Sequence, residues 1–122
     1  DYAEWANLVE RLVVDHPGIK SWAIWNEPNL PFDPPWFWRG SQAEFFELYD
    51  RTAEGLARQA GPGVEIGGYG ELFVVNPWVE AFLAGPRARL DFLSYHRYSC
   101  DPADLTQALK GEMKPARASS SH

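Results

Sequence analysis

The apolar residues near the start of the chain repeat with the period of an amphipathic helix. Their spacing is i, i+3, i+4, i+7, which places the side chains on one face of a helix. The positions are Trp5, Leu8, Val9, Leu12 and Val13. Since His16-Pro17-Gly18 then interrupts the pattern, we predict a helix over residues 2–15.

A second helix is marked at both ends. Ser41 followed by Glu44 is a capping box, in which each side chain accepts a hydrogen bond from a backbone N–H of the first turn. Gly61-Pro62 ends the pattern, so the predicted range is 42–60. The predicted buried stripe consists of Phe45, Leu48, Tyr49, Thr52, Ala53 and Leu56.

A third helix is predicted over 77–84, with Asn76 as its cap and Pro77 at its first position. A last short helix is predicted over 102–109. Between the helices, apolar segments near 19–26, 64–69 and 90–96 predict three short strands. This alternation predicts three consecutive parallel strands with helices packed outside them.

Composition limits the classes of partner. Hydrophobic residues make up 45% of the 122 positions and charged residues 23%, which is typical of a folded globular domain. The net charge is −6, from 11 Lys+Arg against 17 Asp+Glu, and such a balance argues against nucleic-acid binding. The apolar stretches are too short for a membrane span. We therefore expect neither nucleic acid nor a membrane as a partner.

One domain over 1–109 is expected, and we predict that residues 110–122, with their serine run and no periodicity, are a disordered tail or a cloning remnant. The start, Asp1-Tyr2-Ala3-Glu4, has neither an initiating Met nor a basic leader, so a processed chain or a fragment is expected. Cys100 is the one cysteine and has no disulfide partner in the chain. Neither a metal site nor a phosphate-binding glycine loop is predicted, and no cofactor is expected.

The segment with most chemical content follows the first predicted strand. Asn26-Glu27-Pro28 brings an amide and a carboxyl group to the end of a parallel strand, where α/β folds bind their ligands. Pro28 disfavours helical backbone at Glu27, so we predict an extended backbone there. A carboxyl packed against an indole such as Trp25 loses solvation, which suits it to donate a proton. The alternative is a surface acid at a strand end.

The order of motifs resembles glycoside hydrolase family 39, which contains β-xylosidases and α-L-iduronidase. The likeness spans roughly residues 1 to 100 and includes the segments 25–30, 37–38, 44–49, 67–68 and 91–98. It implies an α/β fold that is part of a (β/α)₈ TIM barrel, covering about strands four to six. It also implies a retaining glycosidase for the intact parent, acting on a carbohydrate substrate such as a β-xyloside.

The resemblance implies roles for particular residues. Glu27 would be the general acid/base, and Asn26 would hydrogen-bond the sugar 2-hydroxyl. His96 and Tyr98 would line the same sugar pocket; the alternative is a buried histidine bonded to backbone and a tyrosine that caps the core. Trp36 and Trp38 would either offer flat faces to a pyranose or plug the barrel rim, and the sequence does not favour one option.

The family's nucleophile is a glutamate at the end of the seventh strand, and no residue here matches that position. Glu71 follows the second predicted strand but does not match the position of the family's nucleophile. Since a complete barrel takes about 250 residues, we expect an isolated chain without activity that self-associates through open sheet edges. The alternatives are a non-catalytic carbohydrate-binding module, an interaction scaffold, and a different glycosidase of the same clan.

Overall fold

The computed structural model describes residues 1–30, 37–72 and 77–106. Within them lie three helices, α1 (Tyr2–Asp15), α2 (Gln42–Ala60) and α3 (Pro77–Ala84). Three strands alternate with the helices: β1 (Ser21–Ile24), β2 (Glu65–Leu72) and β3 (Phe92–His96). Residues 102–106 are also helical. The boundaries of α1, α2 and α3 are those that the end signals predicted, while the strand ends differ from the predicted ones by up to three residues.

The three strands form one parallel sheet in the order β1-β2-β3. Ser21 pairs with Glu65 at the start of the β1 and β2 ladder, and Gly67 pairs with Phe92 between β2 and β3. A side chain at Gly67 would collide with the carbonyl oxygen of Phe92, so glycine is required for this close approach. The predicted partial barrel, with parallel strands and flanking helices, is confirmed.

The core lies where α2 meets the sheet and the other two helices. Every residue of the predicted α2 stripe is buried, and Phe45, Tyr49 and Ala53 are completely inaccessible. The Ser41–Glu44 capping box is present: Ser41 Oγ accepts from the Glu44 N–H, and Glu44 Oε2 accepts from the Ser41 N–H at 2.7 Å. The core therefore holds α2 in place behind the strands.

The apolar face of α1 is only partly covered by the described residues. Val9 and Val13 are buried, whereas Leu8 and Leu12 are 49% and 40% exposed. The indole N–H of Trp5 donates to Thr52 Oγ1 at 2.7 Å, which fixes α1 to α2. One half of the predicted stripe thus packs on α2, and the other half meets little of the described chain.

Some predicted features lie outside the described residues. These are the Asn76 cap, the last part of the 102–109 helix and the whole 110–122 tail. Within the described ranges, no helix combines the length and apolar character that a membrane crossing requires.

Candidate active site

Glu27 is a buried carboxylate at the carboxyl edge of the sheet, by which we mean residues 26–27 after β1, Gly70 in β2, and residues 96–98 at the end of β3. Glu27 is only 7% exposed. Its backbone N–H donates to the carbonyl oxygen of Gly70 at 3.0 Å. Since a buried carboxylate needs partners to replace water, its surroundings are informative.

Two side chains from the end of β3 bond this carboxylate. His96 Nδ1 lies 2.5 Å from Glu27 Oε1, and the Tyr98 hydroxyl donates to the same oxygen at 3.3 Å. The negative charge of Glu27 raises the pKa of the Tyr98 phenol, and desolvation adds to this effect. His96 and Tyr98 lie 69 and 71 positions after Glu27 in the sequence, and the three side chains form one cluster. Among the described residues, both hydrogen bonds to the carboxylate end on Oε1.

One proton lies in the contact between Glu27 and His96. Either the imidazole donates its Nδ1–H to a carboxylate, or a carboxylic acid donates its O–H to a bare Nδ1. The carboxyl group is thus the hydrogen-bond acceptor in the first arrangement and the proton donor in the second. This is the behaviour that a general acid/base requires.

The backbone on either side of Asn26 is strained. Trp25 has φ +70° and Glu27 has φ +45°, and neither residue is a glycine. Such conformations cost about 1–3 kcal/mol each and persist where the surrounding structure enforces them. Here the Trp25 indole N–H donates to the Phe37 carbonyl at 3.1 Å, while the Glu27 N–H is held by Gly70.

The prediction of an extended backbone at Glu27 is therefore wrong. Pro28 does exclude the right-handed helical region, but the chain takes the left-handed region instead of the extended one. The hydrogen bond to Gly70, 43 residues away in sequence, decides between them. The backbone thus turns the carboxyl group towards β3, where His96 and Tyr98 bond it.

Asn26 also lies at the carboxyl edge, but it is exposed. Its Oδ1 would be only 3.1 Å from a side-chain carbon placed on Gly70, and His96 Nε2 would be 3.4 Å from that carbon. Asn26, Glu27, His96 and Tyr98 are therefore brought together, as the sequence predicted. Gly70 and its partner Ser94, whose Oγ accepts from the Gly70 N–H at 2.7 Å, were not singled out as site residues.

Trp38 lies in an aromatic cluster beside the site. Its ring packs edge-on against Trp25 and Phe45 with centroids 5.6 and 5.5 Å away, and its indole N–H donates to the Ser41 carbonyl. Trp25 also packs against Trp5, with ring centroids 5.8 Å apart, so the Trp25 indole belongs to this cluster. The Glu27 carboxylate is bonded by His96 and Tyr98 instead. This packing favours the rim-plug option for Trp38. Trp36 lies outside the described residues, and the side chain of Glu71 is not described.

Metal binding has no support from the described part of the chain. No group of three or more histidine, cysteine, aspartate or glutamate side chains is placed to hold a metal ion there. Cys100 is exposed and has no disulfide partner. The chemical groups that the described residues bring to the carboxyl edge are thus a carboxyl group, an imidazole, a phenol and an amide.

The parallel strands and flanking helices define a TIM-barrel-like α/β fragment. The profile of a family described as "Glycosyl hydrolases family 39" matches residues 1–121. The chain therefore belongs to glycosyl hydrolase family 39, and the resemblance inferred from the motifs is confirmed.

Two curated relatives share significant identity with the chain. A beta-xylosidase of Caldicellulosiruptor saccharolyticus is 29% identical over 128 residues, which cover 96% of this chain and 24% of that protein. A beta-xylosidase of Geobacillus stearothermophilus is 32% identical over 111 residues, covering 81% of this chain and 21% of that protein. The chain thus spans about a quarter or less of the length of these relatives. No solved structure matches it.

Proposed function

We propose that this chain is the acid/base segment of a retaining exo-glycosidase that acts on β-xylosides, with Glu27 as the general acid/base. The observation that carries the proposal is the buried Glu27 carboxylate, 2.5 Å from His96 Nδ1 at the carboxyl edge of a parallel sheet. Membership of a glycosidase family supports the reaction class. The names of two relatives, both beta-xylosidases, support the substrate class.

In the first chemical step, Glu27 would donate its proton to the glycosidic oxygen as the leaving group departs. A second carboxylate would attack the anomeric carbon and form a glycosyl-enzyme intermediate. In the second step, Glu27 would take a proton from the attacking water. His96 Nδ1 would hold Glu27 in one orientation by donating a hydrogen bond to Oε1, so that Oε2 would carry the proton that goes to the leaving group in the first step and comes from water in the second.

The other residues would bind the sugar. Asn26, exposed beside Glu27, would hydrogen-bond the 2-hydroxyl, and the Tyr98 phenol and the outer face of His96 would line the pocket. In this proposal the nucleophile comes from the remainder of the family's barrel, about 5–5.5 Å from Glu27 as retention requires. The 122-residue chain alone should then give no turnover. Turnover by the purified chain would instead place the nucleophile within it, with Glu71 as the first residue to test.

The test compares two substrates in the complete enzyme carrying Glu27→Gln. The leaving group of a natural xyloside departs only when an acid protonates it, so the rate of cleavage of this substrate should fall by about 10²–10⁴-fold. The nitrophenolate of a nitrophenyl xyloside departs largely without an acid, so this substrate should still give an early burst of nitrophenol. Turnover should then stall, because no general base remains to deprotonate the attacking water. Glu47→Gln is the matched control, since Glu47 is exposed on α2 and its ion pair with Arg51 lies on the surface, away from the carboxyl edge. If Glu27→Gln retained activity on both substrates, Glu27 would have a structural role and the proposal would fail.

A further inference from the structure

Gly70 lies at a break in the ladder between β2 and β3. Gly68 pairs with Leu93 and Glu71 pairs with Tyr95, so two residues of β2 lie opposite the single residue Ser94 of β3. This is a β-bulge, a feature that often redirects side chains beside active sites. Gly70 has φ +57°, a conformation that glycine adopts readily and other residues rarely adopt.

Hydrogen bonds hold the bulge on both sides. The Gly70 N–H donates to Ser94 Oγ at 2.7 Å, and the Gly70 carbonyl accepts the N–H of Glu27 at 3.0 Å. The bulge therefore connects β3 to the strained backbone of Glu27. Since the carbonyl of Gly70 is the partner that holds Glu27 at φ +45°, any shift of the bulge moves the carboxyl group as well.

The space left by the missing side chain of Gly70 is bordered by two site residues. A carbon placed there would lie 3.1 Å from Asn26 Oδ1 and 3.4 Å from both Cε1 and Nε2 of His96. The first distance is tighter than an ordinary van der Waals contact, so the Asn26 amide would have to move, with the His96 ring at the near limit of contact. Asn26 and His96 thus both lie against the position that a side chain at Gly70 would take.

We infer that Gly70, held by Ser94, is a positioning residue for the acid/base of this site. It orients Glu27 through its carbonyl and sets the spacing of Asn26 and His96 through its missing side chain. This inference rests on the proposed role of Glu27. It predicts that a change at Gly70 impairs proton transfer more than it impairs folding.

The experiment uses the complete enzyme and compares Gly70→Ala with Gly61→Ala. Gly61, at the end of α2, also has a positive φ of +71°, but a side chain there would meet nothing within 4 Å. Both variants should lose thermal stability from backbone strain. Only Gly70→Ala should lower kcat on a natural xyloside, by up to about 100-fold, which is the loss that a misplacement of about 1 Å can cause. The loss on nitrophenyl xyloside should be smaller, and the pH profile should shift.

A second pair of variants leaves the glycine in place. Ser94→Ala removes the acceptor of the Gly70 N–H and should lower kcat on the natural xyloside, whereas Ser94→Thr retains a hydroxyl group and should restore most of it. If Gly70→Ala does not fold, the two Ser94 variants test the positioning role of Gly70 by themselves. The inference is overturned if Gly70→Ala matches Gly61→Ala in kcat and pH profile, or if Ser94→Ala and Ser94→Thr behave alike. These results are separate from a failure of the proposed function, which would appear as retained activity in Glu27→Gln.

Discussion

The α2 helix and the carboxyl edge of the same sheet differ in how they are stabilised. The α2 helix begins with a complete capping box and buries a continuous stripe that is apolar except for Thr52, whose hydroxyl donates to the Leu48 carbonyl. The carboxyl edge instead contains the buried carboxylate of Glu27, whose φ is positive, and a β-bulge, and it directly follows Trp25, a second non-glycine residue with positive φ. Local preference and final conformation agree in α2 and conflict at the edge.

Under the proposed function, this difference separates the region that stabilises the fold from the region that carries the chemistry. Strain persists at functional sites when the surrounding structure enforces it, and here Gly70 and Phe37 enforce it through hydrogen bonds to Glu27 and Trp25. We therefore expect substitutions in α2 to change stability with little effect on catalysis. Substitutions at the carboxyl edge should do the reverse.

The largest effect on stability is expected for Phe45→Ala. Phe45 is completely buried and packs against Trp38 and Trp78, so its removal leaves a cavity and should cost about 3–5 kcal/mol of unfolding free energy. Thermal unfolding of the complete enzyme measures this as a fall in Tm, with the 68% exposed Val14 as the site of a control Val14→Ala. A loss of kcat in the folded variant would show that the two regions are not separable.

His96→Phe should have the opposite signature. Removing Nδ1 leaves the buried Glu27 carboxylate without its nearest partner, and a misplaced acid/base should lower kcat by about 100-fold. The fall in Tm should be smaller than that of Phe45→Ala. His96→Asn places an amide N–H near the former Nδ1 position and should recover part of the activity. Equal losses in the Phe and Asn variants would contradict the role of this hydrogen bond.

Tyr49→Phe tests how the stability that α2 contributes depends on pH. Burial raises the pKa of the Tyr49 phenol far above its ordinary value, with the nearby charges of Asp50 and Asp91 adding to the effect. The unfolded chain loses this proton near pH 10 while the folded chain keeps it, so stability falls as the pH rises above about 10. Tyr49→Phe should lack this contribution.

At neutral pH the same variant loses the hydrogen bond from the Tyr49 hydroxyl to the Arg89 carbonyl, which is worth about 1 kcal/mol. The Tm difference between wild type and variant should therefore shrink as the pH is raised from 9 to 11. A difference that stays constant over this range would show that the Tyr49 phenol is not protected from ionisation by folding.

The smallest effect is expected for Ser41→Ala. It removes the Oγ that accepts the Glu44 N–H at the start of α2, and loss of such a cap costs about 0.5–1 kcal/mol. Ser41→Asn retains a capping oxygen and should recover most of the Tm. Activity should be unchanged in both variants; a large change in kcat would mean that the capping box and the carboxyl edge are coupled.

The helices were predictable because their signals are local. Ser41 with Glu44, and Pro77 at a first helical position, act within one turn of the residues that they specify. The parallel sheet followed from the alternation of elements. The exposure of Leu8 and Leu12 was not predictable, because an amphipathic pattern shows which face is apolar and not what covers it.

The proximity of four candidate residues was predictable, but their geometry was not. Asn26, Glu27, His96 and Tyr98 follow strands whose ends meet at one edge, so their proximity follows from topology. The positive φ of Glu27 depends on a hydrogen bond to Gly70, and the bulge depends on the pairing of β2 with β3. Such contacts between segments distant in sequence leave no pattern in the local residues, so Gly70 and Ser94 were missed.

Azide rescue of Glu27→Gln in the complete enzyme tests the central claim most directly. Azide needs no general base, so it should restore turnover of nitrophenyl β-xyloside by attacking the glycosyl-enzyme intermediate. Attack on the face that water would have used gives β-xylosyl azide, with the configuration of the substrate retained, as an NMR spectrum of the product shows. The account predicts this β product. An α-xylosyl azide would identify Glu27 as the nucleophile, and either that product or the absence of rescue would contradict the account.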